Sequence, residues 1–256
     1  MYSKIIRKIK TKIASLPFGA KHFCPICNNN IQFFLPYRGG MSDVPPFLRS
    51  LEMIGSDVEN FSCPVCASHD RERHLMLYLM ASGALNKMQD KNVLHIAPEK
   101  NLRKLIHPLT NNYVMGDLHP TEKSIRKINL QKTDYPDNYF DFVIANHVLE
   151  HVENDISALN EIYRITSPRG YAILQTPYSN ALHHTFCDPG IKTELARINA
   201  YGQEDHQRLY GLDLPMRIQS SGLQSLIQRH SDLLPTIDSK KFGINPEEPF
   251  FLFQKP

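Results

Sequence analysis

Four of the five cysteines fall into two copies of one pattern, Cys24-Pro25-Ile26-Cys27 and Cys63-Pro64-Val65-Cys66. A two-residue gap lets both sulfurs of a pair turn toward one ion, and a second pair completes a tetrahedron around Zn2+. Four thiolates leave no open position for water, so the spacing predicts a structural zinc on Cys24, Cys27, Cys63 and Cys66, not a catalytic one. A redox dithiol or merely buried thiols are the lesser alternatives. His22, His69 and His74 lie near enough in sequence to replace one sulfur, while Cys187 stands alone and reads as a core or loop thiol. Closely paired thiols of this kind suit a reducing compartment.

A second set of reactive side chains follows predicted strands. Asp117 lies about 20 residues beyond the His95-Ile96-Ala97-Pro98-Glu99 turn, the distance at which an acid accepts hydrogen bonds from ribose hydroxyls in a nucleotide-binding sheet. That turn lacks the usual glycines, yet small Ala97 and rigid Pro98 can form a tight strand-to-helix bend whose amides face an anion. Asn129 and Leu130, and the run Asn146-His147-Val148-Leu149-Glu150-His151, would edge the same crevice. Histidine titrates near neutrality, so His147 and His206, with Asp205, are the candidate bases. His147 to His151 also spells H-x-x-E-H, the pattern of inverted zinc peptidases, but the strand-like residues before it favour a sheet tip over a metal-binding helix. The segment Gly202-Gln203-Glu204-Asp205-His206 to Gly211 is either an acceptor-pocket loop or a plain polar connection.

Positioning these groups requires an alternating fold. Apolar strands are expected at 92–96, 112–115, 141–145 and 171–175, with helices at 99–106 and 155–165, the second ending before Pro168 and Gly170. Alternation of this kind builds a parallel, doubly wound sheet, and its ligands gather at the carboxyl ends of the strands. Residues 250–253 read as the closing strand, and residues 70–85 as a helix joining the cysteine module to the sheet. The expected organisation is a basic amphipathic helix in 1–21, a zinc-knuckle module with its connecting helix in 22–85, and the α/β domain in 86–256.

The run from Tyr135-Pro136-Asp137 through Asp141-Phe142-Val143-Ile144-Ala145-Asn146-His147 to Glu150-His151-Val152 resembles a hallmark of class I S-adenosylmethionine-dependent methyltransferases of the type 11 kind. Glu161 to Tyr171 is similar to that family's helix, Pro-Gly turn and next strand. The paired CPxC knuckles, Arg71-Glu72-Arg73-His74, Val93 to Glu99 and Gly202 to His206 further resemble a zinc-knuckle subgroup associated with bacterial surface-glycan biosynthesis. The resemblance implies a Rossmann-like doubly wound methyltransferase sheet, mostly parallel with an antiparallel closing strand. It also implies S-adenosyl-L-methionine as cofactor beside structural Zn2+. It places Ala97 and Glu99 at the methionine end, Asp117 on ribose, Asn129 and Leu130 beside adenine, and Asn146 and His147 at the sulfonium. The acceptor it implies is a saccharide hydroxyl.

Charge refines the choice of partner. Lys4, Arg7, Lys8, Lys10, Lys12, Lys21 and Arg38 all precede the first acid, Asp43, so the +3 chain divides into a +7 arm and a body of about −4. Such a body lacks the broad basic footprint of a nucleic-acid binder, and no specific nucleic acid is expected. Ile5, Ile6, Ile9 and Ile13 share one face of the arm, which would pack on its own domain or lie on an anionic membrane. With no run of about 18 apolar residues, the expected location is cytoplasmic, with peripheral contact at the inner membrane face through residues 2–14. A competing class is a non-catalytic nucleic-acid- or protein-binding module on a decayed cofactor fold, kept open by the missing glycines.

Overall fold

A computed structural model describes residues 2–256, with side chains from residue 8 onward. The chain runs α1 (Tyr2–Ala14), β1 (His22–Cys24), β2 (Asn29–Ile31), α2 (Pro46–Arg49), β3 (Met53–Ile54), α3 (Asp70–Ala81), α4 (Ala84–Lys87), β4 (Asn92–Ile96) and α5 (Lys100–Ile106). It continues through β5 (Asn112–Asp117), β6 (Arg126–Lys127), β7 (Phe140–Ala145), α6 (Asp155–Ile165), β8 (Thr166–Ile173), β9 (Tyr178–Ser179) and α7 (Glu194–Tyr201). The last elements are α8 (Leu214–Gln219), β10 (Gln224–Ser225), α9 (His230–Leu233), α10 (Ser239–Phe242) and β11 (Leu252–Gln254).

Seven strands form one mixed sheet in the order β10-β11-β8-β7-β4-β5-β6. The strands from β8 to β6 pair in parallel, and β11 runs antiparallel to β8, as expected of a closing strand. The order reverses at β4, so the carboxyl ends of β4, β5 and β7 open on one crevice. Val93, Leu94, Val143 and Ile144 are fully buried, because a sheet covered on both faces needs apolar residues at successive positions. One core layer packs α6 and α8 on the sheet, and the other packs α3 and α5.

The expected helix over 70–85 is two helices, since Gly83 takes a left-handed φ of +71° that ends the first and caps the second. The strand expected at 171–175 starts five residues earlier, at Thr166. Pro168 lies where the pairing of β7 with β8 shifts between Phe140 and Phe142, and proline is tolerated at such a bulge because no ladder donor is needed there. α3 packs directly on the sheet: Leu75, Tyr78 and Leu79 share a core with Val93, Phe142 and Phe250. β3 pairs with β9, tying the segment after the first cysteine pair to the end of the sheet.

The backbone of α1 is helical as expected, while the side chains of Ile5 and Ile6 lie outside the described residues. Ile9, Ile13, Leu16 and Phe18 are exposed, the last 93% so. Among the described residues no helix is long and apolar enough to cross a membrane.

Candidate functional site

The four paired cysteines converge. Sγ of Cys24 lies 3.8 Å from that of Cys66, and Sγ of Cys27 lies 3.8 Å from that of Cys63. All four sulfurs fall within 4.8 Å of one another. Zn–S bonds of about 2.3 Å in a tetrahedron require an S–S edge of about 3.8 Å, so this set could hold Zn2+ with almost no movement. Val65 N donates to Cys63 Sγ at 3.4 Å, and Ser68 Oγ lies 3.2 Å from Cys66 Sγ, contacts that favour thiolate. None of the three nearby histidines joins the set: His22 meets Lys240 O, His69 precedes α3, and His74 meets His230. Cys187 is an exposed loop thiol.

The second site is a cavity of about 560 Å3 at the strand tips, lined by Ala97, Asp117, Asn129, Leu130, His147 and Asp205, all singled out from the sequence. Ala97 follows β4, Asp117 ends β5, Asn129 follows β6 and His147 follows β7, so four neighbouring strands deliver them together. Ala97 and His147 both adopt left-handed φ, +47° and +53°. Such angles in residues with a Cβ are uncommon and cluster at functional turns, and Ala97 supplies the bend that a glycine would ordinarily make. Its N–H donates to Gly116 O at 2.7 Å and that of His147 to Gln175 O at 2.7 Å, which locks both turns.

Glu99 and Asn146 stand together among the buried groups behind the turns. Asn146 Nδ2 donates to Glu99 Oε1, Glu99 Oε2 pairs with His95 Nε2 at 3.0 Å, and Asn146 Oδ1 is buried with no partner. Burial works against the Glu99 carboxylate, but the His95 bond and charge hold its pKa below the usual range.

His147 is not poised as a base. Burial would lower its pKa, yet Glu150 at 3.5 Å and Glu248 at 3.4 Å raise it to about 9, so the ring is a cation at neutral pH. Its two ring nitrogens face the carboxylates of Glu150 and Glu248. Nor do His147 and His151 form the zinc pair that H-x-x-E-H suggests, since His147 turns to Glu248. His206 does not line the 560 Å3 cavity. It lines an adjoining one of about 160 Å3 with Arg71, Pro177 and Gln203, and His147 borders both. Burial lowers the pKa of His206.

Sequence reasoning passed over Ile128, Gln131 and Val152 in the cavity wall, as well as Glu248. Glu248 sits between Pro246 and Pro249 just before the closing strand, and only the return of the chain to β8 carries it beneath His147 and His74. Arg208 is another unforeseen support. Its guanidinium donates to the carbonyls of Leu149, Val152 and Glu153, while Gln207 N donates to Glu150 O at 2.8 Å, fastening the 205–208 loop to the turn after β7.

Parts of the chain are similar to known proteins. A 77-residue stretch is 34% identical to part of a probable polyketide synthase of Dictyostelium discoideum, covering 30% of this chain and 3% of that protein. Another 48 residues are 42% identical to an uncharacterized methyltransferase of Schizosaccharomyces pombe, covering 19% of this chain and 17% of the relative. The matched segments thus span only a small part of either relative. Among solved structures, a SAM-dependent methyltransferase from Archaeoglobus fulgidus is similar at 16% identity with a TM-score of 0.47, over 73% of this chain and 95% of that one. Residues 82–174, which carry β4 to β8 and most of the cavity wall, match the family model described as a methyltransferase domain, and the seven-stranded sheet around them has the Rossmann-like methyltransferase fold.

Proposed function

We propose that the chain transfers a methyl group from S-adenosylmethionine to a hydroxyl of a saccharide or related small acceptor, with Zn2+ on Cys24, Cys27, Cys63 and Cys66 as a structural ion. The observation that carries this reading is the convergence of Ala97, Asp117, Asn129 and His147 from four strand tips on one cavity. When bound, S-adenosylmethionine supplies an electrophilic methyl on sulfur. The residues present fit it. Asp117 keeps acceptor capacity for ribose hydroxyls after its Oδ1 accepts from His119 N at 2.7 Å, and Ile96, Ile128 and Leu130 offer an apolar wall to adenine beside Asn129. The orphaned Asn146 Oδ1 needs a donor, which an ammonium group provides. Val148 and Val152 exclude water, and as the methyl passes from sulfur to the acceptor oxygen the hydroxyl proton passes to the carboxylate of Asp205, which lines the same cavity. Catalysis of this kind is largely positioning.

Two further features support the wider reading. The exposed apolar side chains of α1 and the residues after it, set among Lys8, Lys10, Lys12 and Lys21, suit an anionic bilayer, and a membrane-associated saccharide substrate would be met there. The acidic body offers little to a polyanion.

The test is calorimetric titration of S-adenosylhomocysteine into wild type and Asp117→Ala. Losing charge-assisted bonds to the ribose costs about 1.5–3 kcal/mol, a weakening of roughly 10- to 150-fold. Labelled methyl donor incubated with cell-envelope, protein and RNA fractions then identifies the acceptor. Absence of cofactor binding by the wild type would overturn the proposal.

A further inference from the structure

We infer that Glu150, His151 and His206 form a second metal site, distinct from the four thiols, which takes a divalent transition ion through one carboxylate and two imidazoles at the junction of the two cavities. Their donor atoms lie within 4.8 Å of one another. Two of them are buried and unpartnered: Glu150 is 2% exposed with Oε2 free, and His206 is 6% exposed with Nε2 free. A buried polar atom without a partner is costly, and an ion held by the cluster would relieve both.

The tautomers favour an ion over a water. His206 Nδ1 lies 2.9 Å from Tyr201 O, and a carbonyl can only accept, so Nδ1 carries the proton and Nε2 presents a lone pair to the cluster. His151 Nδ1 lies 3.0 Å from Asp205 Oδ2, which leaves His151 Nε2 turned to Glu150 Oε1 at 3.9 Å. Backbone carbonyl and carboxylate partners on the far nitrogen are the supports that metal-bound histidines use. Bonds of about 2.1 Å set neighbouring donors roughly 3.4 Å apart in a tetrahedron, so the side chains close by on the order of 1 Å. One carboxylate and two imidazoles leave positions open to an external oxygen ligand. His151 and Asp205 border the larger cavity, so the ligand that fits is a hydroxyl or vicinal diol of the acceptor. That last role rests on the methyl-transfer reading; the ion site itself does not.

Mn2+ is the probe, because it prefers oxygen and nitrogen donors and avoids sites made of thiolates. The zinc-loaded full chain is titrated with Mn2+, and free ion is followed by electron paramagnetic resonance. Wild type is expected to bind one Mn2+ per chain, His206→Ala and His151→Ala to lose it, and Asp205→Asn, which changes only the support, to weaken it about 10- to 100-fold. Unfolding temperatures of the metal-free variants close to wild type separate lost ligation from lost fold; His151, at the protein surface, is the safer of the two. Failure of wild type to bind Mn2+, or binding unchanged in both histidine variants, would overturn the inference. Binding of Mn2+ without S-adenosylhomocysteine would instead remove the methyl-transfer reading and leave the site standing.

Discussion

Replacing Arg73 with methionine tests how the cysteine module is joined to the sheet. Arg73 is fully buried, and its guanidinium donates to the carbonyls of Asn60, Phe61, Ser68, Phe242 and Gly243 while stacking 3.8 Å from the centre of Phe34. Ser68 O also accepts from Cys63 N, but the other four carbonyls have Arg73 as their partner. Methionine fills much of the volume and leaves those four unpaired. At about 1–3 kcal/mol for each stranded acceptor, softened by relaxation and water entry, the loss comes to about 4 kcal/mol, the range seen when a buried charge network is broken. For a chain of this size that lowers Tm by about 10 °C. The same cation lies near the thiols of Cys24, Cys63 and Cys66, so the variant should also release zinc faster. Thermal unfolding and zinc transfer to a colorimetric chelator are the assays. Lysine cannot reproduce the fork and should recover less than half of the loss. A Tm within about 2 °C of wild type would refute the reasoning, because it would mean the five bonds contribute nothing net.

Cys63→Ser removes one corner of the thiol tetrahedron, so bound zinc should fall below one per chain and the protein should unfold on chelation that wild type resists; metal analysis decides it. Burial beside His74 lowers the His230 pKa to about 4 from 6.5. The unfolded chain therefore binds a proton that the folded one refuses, and stability is lost as pH falls from about 6.5 toward 4. Urea unfolding at pH 7, 6 and 5 should show a shallower acid loss in His230→Phe, and identical slopes would sink the assignment. Removal of residues 1–18 should abolish co-sedimentation with vesicles containing anionic lipid and leave calorimetric cofactor binding intact; equal sedimentation of both forms rules out the arm as anchor.

Elements with a strong local period were legible before any coordinates. β4 and α6 fall where the apolar pattern places them, and Asp117 and the paired cysteines were found from spacing alone. Features set by distant partners were not. The left-handed turn at Ala97 takes the place of an expected glycine, and its cost is met by the parallel neighbours on either side of β4. His147 reads as a base from its type, but Glu150, three residues on, and Glu248, from the far end of the chain, together raise its pKa.

The sequence by itself determined the alternation of strand and helix, the tetrahedral set of sulfurs, and the acid at the second strand tip, since these depend on periods and short spacings that a chain carries locally. Tertiary structure alone decided which titratable groups share a dry space. Glu150 and His206 lie 56 positions apart, and Arg208 clasps the turn after β7 where His151 and His206 face one carboxylate. The physical reason is that burial and charge pairing are properties of neighbours in space, and here those neighbours come together only when the sheet has closed.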